Sequence, residues 1–220
     1  MRLSQTLRAT LVSAALATAA LAASPAAAAV TITITSTSNL PLPAGQTMID
    51  DFDNPIAAGF TFTQNVAAYV RSGAPGLDPG VSAPPPGDTT NYETILSGGR
   101  ATLMSTGFLR SFSFYLGSPD TYNTVRFTGA NGFSLTLAGA AIMGGSPAAN
   151  GDQTIGRRVN YDFGTDRVNK IEFLSSGNSF EFDSLAGAVP EPATWAMMIM
   201  GFGLMGAVLR RRMALAPARI

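Results

Sequence analysis

The sequence predicts an all-β fold, an antiparallel β-sandwich of jelly-roll-like type, and three observations carry that prediction. Between residues 30 and 189, apolar side chains recur at every second position in short segments, the period of a strand with one buried face. The segments follow one another at short intervals and are bounded by Gly, Pro, Asn, Asp or Ser, the residues from which turns are made. No stretch of this region shows a convincing helical period over a whole helix length. Its 160 residues suffice for one domain with a real hydrophobic core.

In chain order, residues 30–38 alternate apolar and hydroxyl side chains, with Val30, Ile32 and Ile34 on one face, until Pro41 and Pro43 break the run. Asp50, Asp51 and Asp53 form a small acidic cluster before a second alternating strand, Phe60-Thr61-Phe62-Thr63. Residues 72–90 are rich in Gly and Pro and contain Pro84, Pro85 and Pro86 in succession. Consecutive prolines lack N–H donors and favour an extended conformation, so this stretch is expected to be a long surface loop inside one domain. Strands then follow at Ala101 to Met104, at Phe112, Phe114 and Leu116, and at Val125 and Phe127. Phe133, Leu135 and Leu137 make the next, then Val159, Tyr161 and Phe163. The last two, Lys170 to Leu174 and Phe180 to Asp183, are joined by Ser175-Ser176-Gly177-Asn178. That turn chemistry predicts a hairpin with Ile171, Phe173, Phe180 and Phe182 in the core and Lys170, Glu172 and Glu181 outward.

Charge and composition exclude several functions. The chain is formally neutral, but Arg2, Arg8, Arg210, Arg211, Arg212 and Arg219 sit at its ends. Residues 30–189 hold 8 basic and 13 acidic side chains. That mildly acidic middle offers no basic face for nucleic acid. Cys and His are both absent, which removes disulfides, thiolate and imidazole metal sites, and nucleophile systems that need His.

The two ends look like addresses rather than fold. Residues 1–29 combine Arg2 and Arg8, an apolar run from Leu11 to Ala23, and Ala27-Ala28-Ala29 before Val30. This is the pattern of a secretory signal peptide, handled by the general secretion machinery, with cleavage after Ala29 or at a second small-residue site near Ala23. At the other end, the 17 residues from Ala193 to Leu209 carry no charge. As a helix they would span roughly 25 Å, the lower limit for crossing a bilayer. Trp195 suits one membrane interface, and Arg210, Arg211 and Arg212 stop transfer on the cytoplasmic side. Gly203 and Ala207 make a small-xxx-small pair. Before this run, Pro190 and Pro192 fix the backbone and deny it strand pairing, which presents Glu191 on an extended segment.

The order Pro190-Glu191-Pro192, Trp195, an apolar helix and Arg210-Arg211-Arg212 resembles the PEP-CTERM sorting signal, in the subtype with Trp-Ala after the tripeptide. The resemblance implies recognition by exosortase, a multi-spanning inner-membrane enzyme proposed to cut at the tripeptide. It also implies passage to the surface or matrix of bacteria that make exopolysaccharide. The division expected is a signal peptide (1–29), an exported β-sandwich (30–189), the sorting signal with a transmembrane helix at 193–209 (190–212), and a short cytoplasmic tail (213–220). That tail is a departure, since such signals commonly end soon after the arginines. The resemblance does not reach the β domain.

Within the domain, Asp50, Asp51, Asp53 and Asp183 are candidate calcium ligands if the first and last strands are neighbours. Against that, their spacing matches no defined calcium loop, and strand-end solubility accounts for them as well. Glu93, Glu172 and Glu181 are the glutamates from which a carboxylate hydrolase would draw. Tyr69, Tyr92, Tyr115 and Tyr122 are the tyrosines that would stack on sugars. The leading expectation is a non-enzymatic structural or adhesive protein, anchored transiently in the inner membrane and then delivered to the cell surface or matrix. A carbohydrate-binding module, with or without structural calcium, is the alternative.

Overall fold

The computed structural model describes residues 29–74, 78, 80–146, 151–189, 199–206 and 210. Among the described residues, twelve strands form two antiparallel sheets: β1 (Thr31–Ser36), β2 (Thr47–Asp50), β3 (Phe60–Gln64), β4 (Ala68–Ser72), β5 (Asn91–Ile95), β6 (Arg100–Leu109), β7 (Ser111–Leu116), β8 (Asn123–Gly129), β9 (Ser134–Ala138), β10 (Arg157–Asp162), β11 (Val168–Ser175) and β12 (Phe180–Ala188). One sheet runs β1-β10-β7-β12-β5-β4, with β2 also paired to β12; the other runs β3-β6-β11-β8-β9.

The core lies between the sheets and is largely aromatic, because period-two segments deliver one apolar row from each side. Phe112 and Phe114 of β7 meet Phe173 of β11, with Phe114 edge-on to Phe173 at 5.5 Å. Phe127 of β8 packs on Tyr161 of β10 at 4.7 Å. Each such side chain, fully buried, contributes about 1.5–3 kcal/mol. Phe163, Val125, Leu103 and Leu185 complete the same cluster.

The final pair of strands is not the hairpin that its turn residues predict. β11 and β12 belong to different sheets, and residues 176–179 carry the chain from one to the other. Ile171 and Phe173 point inward from the five-stranded sheet, Phe180 and Phe182 from the seven-stranded one, and Phe173 stacks on Phe182 at 4.2 Å. An arch and a hairpin share the same alternation. Here β12 fills the gap between β7 and β5, whose edges a hairpin would leave unpaired. Glu181, expected outward and solvated, is accordingly buried beneath a loop, at 1% exposure. Glu172 is also buried, with Lys170 Nζ at 3.0 Å and Arg126 Nη1 at 3.8 Å.

Strands β2, β4 and β5 were not marked by alternation. In β5 the core-facing position opposite Phe182 is Glu93. Gln64, an exposed residue of the edge strand β3 in the other sheet, donates from Nε2 to Glu93 Oε2.

Register places both ends of the domain together. Thr31 lies opposite Asp162, Asp162 opposite Ser111, and Ser111 opposite Ala188. Three strand spacings, roughly 14 Å, separate where β1 begins from where β12 ends. The segments around Arg110, 130–133 and 163–167 gather at this end. Arg100, Leu116, Asn123, Ser175 and Phe180 mark the opposite one.

Candidate functional site

The outward face of the seven-stranded sheet is polar, yet much of it is buried, because the loops at 37–46 and 80–90 lie over it. Arg158 of β10 is fully buried. Its Nε and Nη2 donate to the carbonyl and side-chain oxygens of Asn39 at 2.8 Å each, and its Nη1 donates to Ser113 Oγ and the Ser184 carbonyl at 3.1 Å. Asn39 Nδ2 in turn donates to Asp183 Oδ2 at 2.8 Å. Burial pulls the guanidinium down to about 10, against the opposing pull of Asp183. Burial, helped by Asp88, pushes the Asp183 carboxyl up to about 7. The second loop is held by Glu181, whose Oε1 accepts from Ala83 N at 3.1 Å, and by Tyr115, which donates to the Pro86 carbonyl at 2.6 Å.

Where this layer reaches the end of the domain opposite the termini, it opens into a cleft of about 210 Å³. Asp78, Ser118, Asp120, Tyr122, Asn178 and Glu181 line it. Ser118 Oγ contacts Asp120 Oδ2 at 2.6 Å and Glu181 Oε2 at 3.2 Å, so it ties the two carboxyl groups together. Tyr122 donates to the Asn178 carbonyl at 2.6 Å. Its ring rests on Gly177, where a Cβ would come within 2.8 Å of ring carbons. Burial and the nearby Asp120 push the Tyr122 phenol up. Burial likewise raises Glu181. On its other side Tyr122 borders a depression of about 430 Å³ with Asn65, Arg100 and Ser176. An aromatic ring among hydroxyl, amide and carboxylate groups is suited to a ligand dense in hydroxyls.

The four aspartates do not converge. Asp50 Oδ1 accepts from Phe52 N at 3.0 Å, and Asp51 Oδ1 accepts from Asp53 N and Asn54 N at 3.2 and 3.0 Å. Asp53 Oδ1 accepts from Asn91 N at 3.2 Å, and Asp183 belongs to the Arg158 network. Each carboxylate serves its own turn or loop. Among the described residues no three acidic side chains are grouped to hold a metal ion. Tyr92 and Tyr115 are buried, Tyr69 and Tyr122 half-buried. Asp120 and Asn178, which shape the cleft, resemble turn punctuation in the sequence, and no local signal distinguishes them.

Pro190, Glu191, Pro192, Trp195, Arg211 and Arg212 lie outside the described residues, as do residues 1–28 and 213–220. Of the expected helix at 193–209, residues 199–206 are described and are helical and exposed; Arg210 is exposed too. No helix among the described residues is long and apolar enough to cross a membrane. β12 ends at Ala188, two residues before the tripeptide begins.

Residues 188–212 match the PEP-CTERM protein-sorting motif. No curated protein matches the chain. Among solved structures, the chain is similar to a family 11 carbohydrate-binding module from Clostridium thermocellum in complex with a beta-1,3-1,4-mixed-linked tetrasaccharide. The identity is 14%, covering 67% of this chain and 98% of that one, with a TM-score of 0.29. It is also similar to the family 32 module of C. perfringens NanJ in complex with galactose, at 8% identity over 64% of this chain and 98% of that one, TM-score 0.35. The catalytic unit of the GH87 alpha-1,3-glucanase from Streptomyces thermodiastaticus strain HF3-3 is 14% identical over 61% of this chain and 26% of that one, TM-score 0.29. Scores this low transfer nothing from those proteins to this chain.

Proposed function

We propose that this chain is an exported surface or matrix protein that exosortase frees from the inner membrane, and that its domain serves a structural or adhesive role without catalysis. The observation that carries this reading is the position of the sorting motif. It matches residues 188–212, and the last strand of the sandwich closes at Ala188. Among the described residues, none from the tripeptide onward belongs to a strand or to the core, so removal from there takes no described strand or core side chain. Intact mass of the mature protein tests it, compared in cells with and without exosortase. The expected result is a C-terminus near residues 190–192 only where exosortase is present; identical C-termini in both overturn the reading.

The Tyr122 cleft favours a second reading, binding of exopolysaccharide at the outer end of the domain. At about 210 Å³ it suits one sugar ring rather than an extended ligand. Binding is favoured over cleavage there because Glu181 is 1% exposed and its oxygens already accept from Ala83 N, Ser118 and Ser179. A carboxyl so engaged is poorly placed to exchange protons with a substrate. Retention on the host's own polysaccharide is expected for the wild type and is expected to fall by about tenfold in Tyr122→Ala, the equivalent of about 1.4 kcal/mol. Equal retention of both removes the cleft as a sugar site.

A further inference from the structure

We propose that the end of the sandwich where the chain enters and leaves is a lipid-docking face, seated on the membrane surface until the C-terminal segment is removed. The proposal rests on the reading above, that residues 193–209 enter the bilayer. Five residue steps separate Ala188 from Ala193. Even fully extended they reach only about 17 Å, so this end of the domain is held against the headgroup layer. Thr31 lies in the same register row as Ala188, so the N-terminal segment joins the same face.

The side chains there fit that neighbour. Phe108 and Val189 are exposed apolar residues, at 40% and 44%. Gly107, next to Phe108, brings its backbone close to Val189, with 3.7 Å from an added Cβ to Val189 Cγ1. Arg110, exposed, lies two residues from Phe108, and Arg167, half-exposed, precedes Val168, which pairs with Leu109; Arg167 Nη1 donates to the Gly164 and Asp166 carbonyls at 3.1 and 2.8 Å. An exposed aromatic side chain beside an exposed arginine suits the interface, where the ring enters the acyl boundary and the guanidinium meets phosphate. The acidic groups of this end are Asp162 and Asp166, and Asp162 Oδ1 is turned back to Gly164 N at 2.9 Å. β11 separates this end from the other by eight residues, Val168–Ser175, or roughly 24 Å of strand. Docking therefore points the Tyr122 cleft away from the lipid.

The chain has no cysteine, so single-cysteine variants report cleanly. Thr165→Cys places a label on the docking end and Thr121→Cys on the opposite end; both threonines are exposed on turns. The full chain, carrying an environment-sensitive fluorophore, is reconstituted into phosphatidylethanolamine–phosphatidylglycerol vesicles that contain a headgroup-level quencher. The label at 165 is expected to be quenched at least about threefold more than that at 121, and Phe108→Asp to reduce the difference while the protein still floats with the vesicles. Flotation with equal quenching at both positions, or with a difference that Phe108→Asp leaves unchanged, overturns the docking face and leaves the sorting reading standing. Failure to float overturns both.

Discussion

Replacing Glu93 by glutamine is expected to stabilise the protein increasingly as pH rises. Glu93 is fully buried, opposite Phe182, with Gln64 donating to one oxygen. Its other oxygen has no hydrogen-bond partner among the described residues. Burial, with a smaller contribution from Asp50, raises its pKa from 4.5 to about 8. Between those two values the folded chain keeps a proton that the unfolded chain has released. The stability contributed by neutral Glu93 is therefore complete below about pH 4.5 and is lost as pH climbs through 8. At about 1.36 kcal/mol per pH unit, the ceiling on that loss is roughly 5 kcal/mol. Glutamine keeps the shape and an acceptor for Gln64 but has no proton to lose. Urea unfolding of wild type and Glu93→Gln at pH 5, 7 and 9, followed by circular dichroism, reads the difference directly. Asp183, raised to about 7, titrates in the same direction in both proteins and cancels. The gap between variant and wild type should widen by several kcal/mol from pH 5 to pH 9. A gap that stays constant or narrows with pH refutes the assignment of Glu93 as a buried neutral acid.

Three further predictions concern the seven-stranded sheet, one on its core face and two on its outer face. Phe182→Ala removes the ring stacked on Phe173 at 4.2 Å and should cost about 3–5 kcal/mol in urea unfolding, as large buried aromatics do. Arg158→Met should cost about 3–5 kcal/mol, because Asp183 and Asn39 then lose their buried partner; adding Asp183→Asn should recover part of it. The same variant should speed hydrogen exchange in residues 37–46 more than in the core strands, since Arg158 holds that loop through Asn39.

The strands around the core were legible because burial on one face leaves a period of two, as at Phe112, Phe114 and Leu116 or at Val159, Tyr161 and Phe163. Sheet membership was not. The pattern Ile171, Phe173, Phe180, Phe182 is identical whether the strands pair side by side or face each other, and only the need of β7 and β5 for a partner decides. The outer face misled for a related reason. Glu181, Asp183 and Arg158 alternate with core residues as solvated groups do, and distant loops bury them. Glu93 hid β5, since a carboxyl in a core-facing position breaks the alternation. Of the cleft, Tyr122 could be singled out by residue type. Its companions come together only through the meeting of the 118–123 turn with the arch at 176–179, which no local pattern records. The sorting segment was legible because its signal is a continuous string.

The last of the described strands is also a central one. β12 lies between β7 and β5 and is the strand to which β2 pairs. Without residues 180–188 the larger sheet falls into a β1-β10-β7 piece and a β4-β5 pair, with β2 unpaired. If the chain is exported as proposed, one emerging N-terminus first completes its larger sheet only when the stretch adjoining the sorting motif has also emerged. On the export route proposed above, strand order ties completion of the larger sheet to the end of translocation.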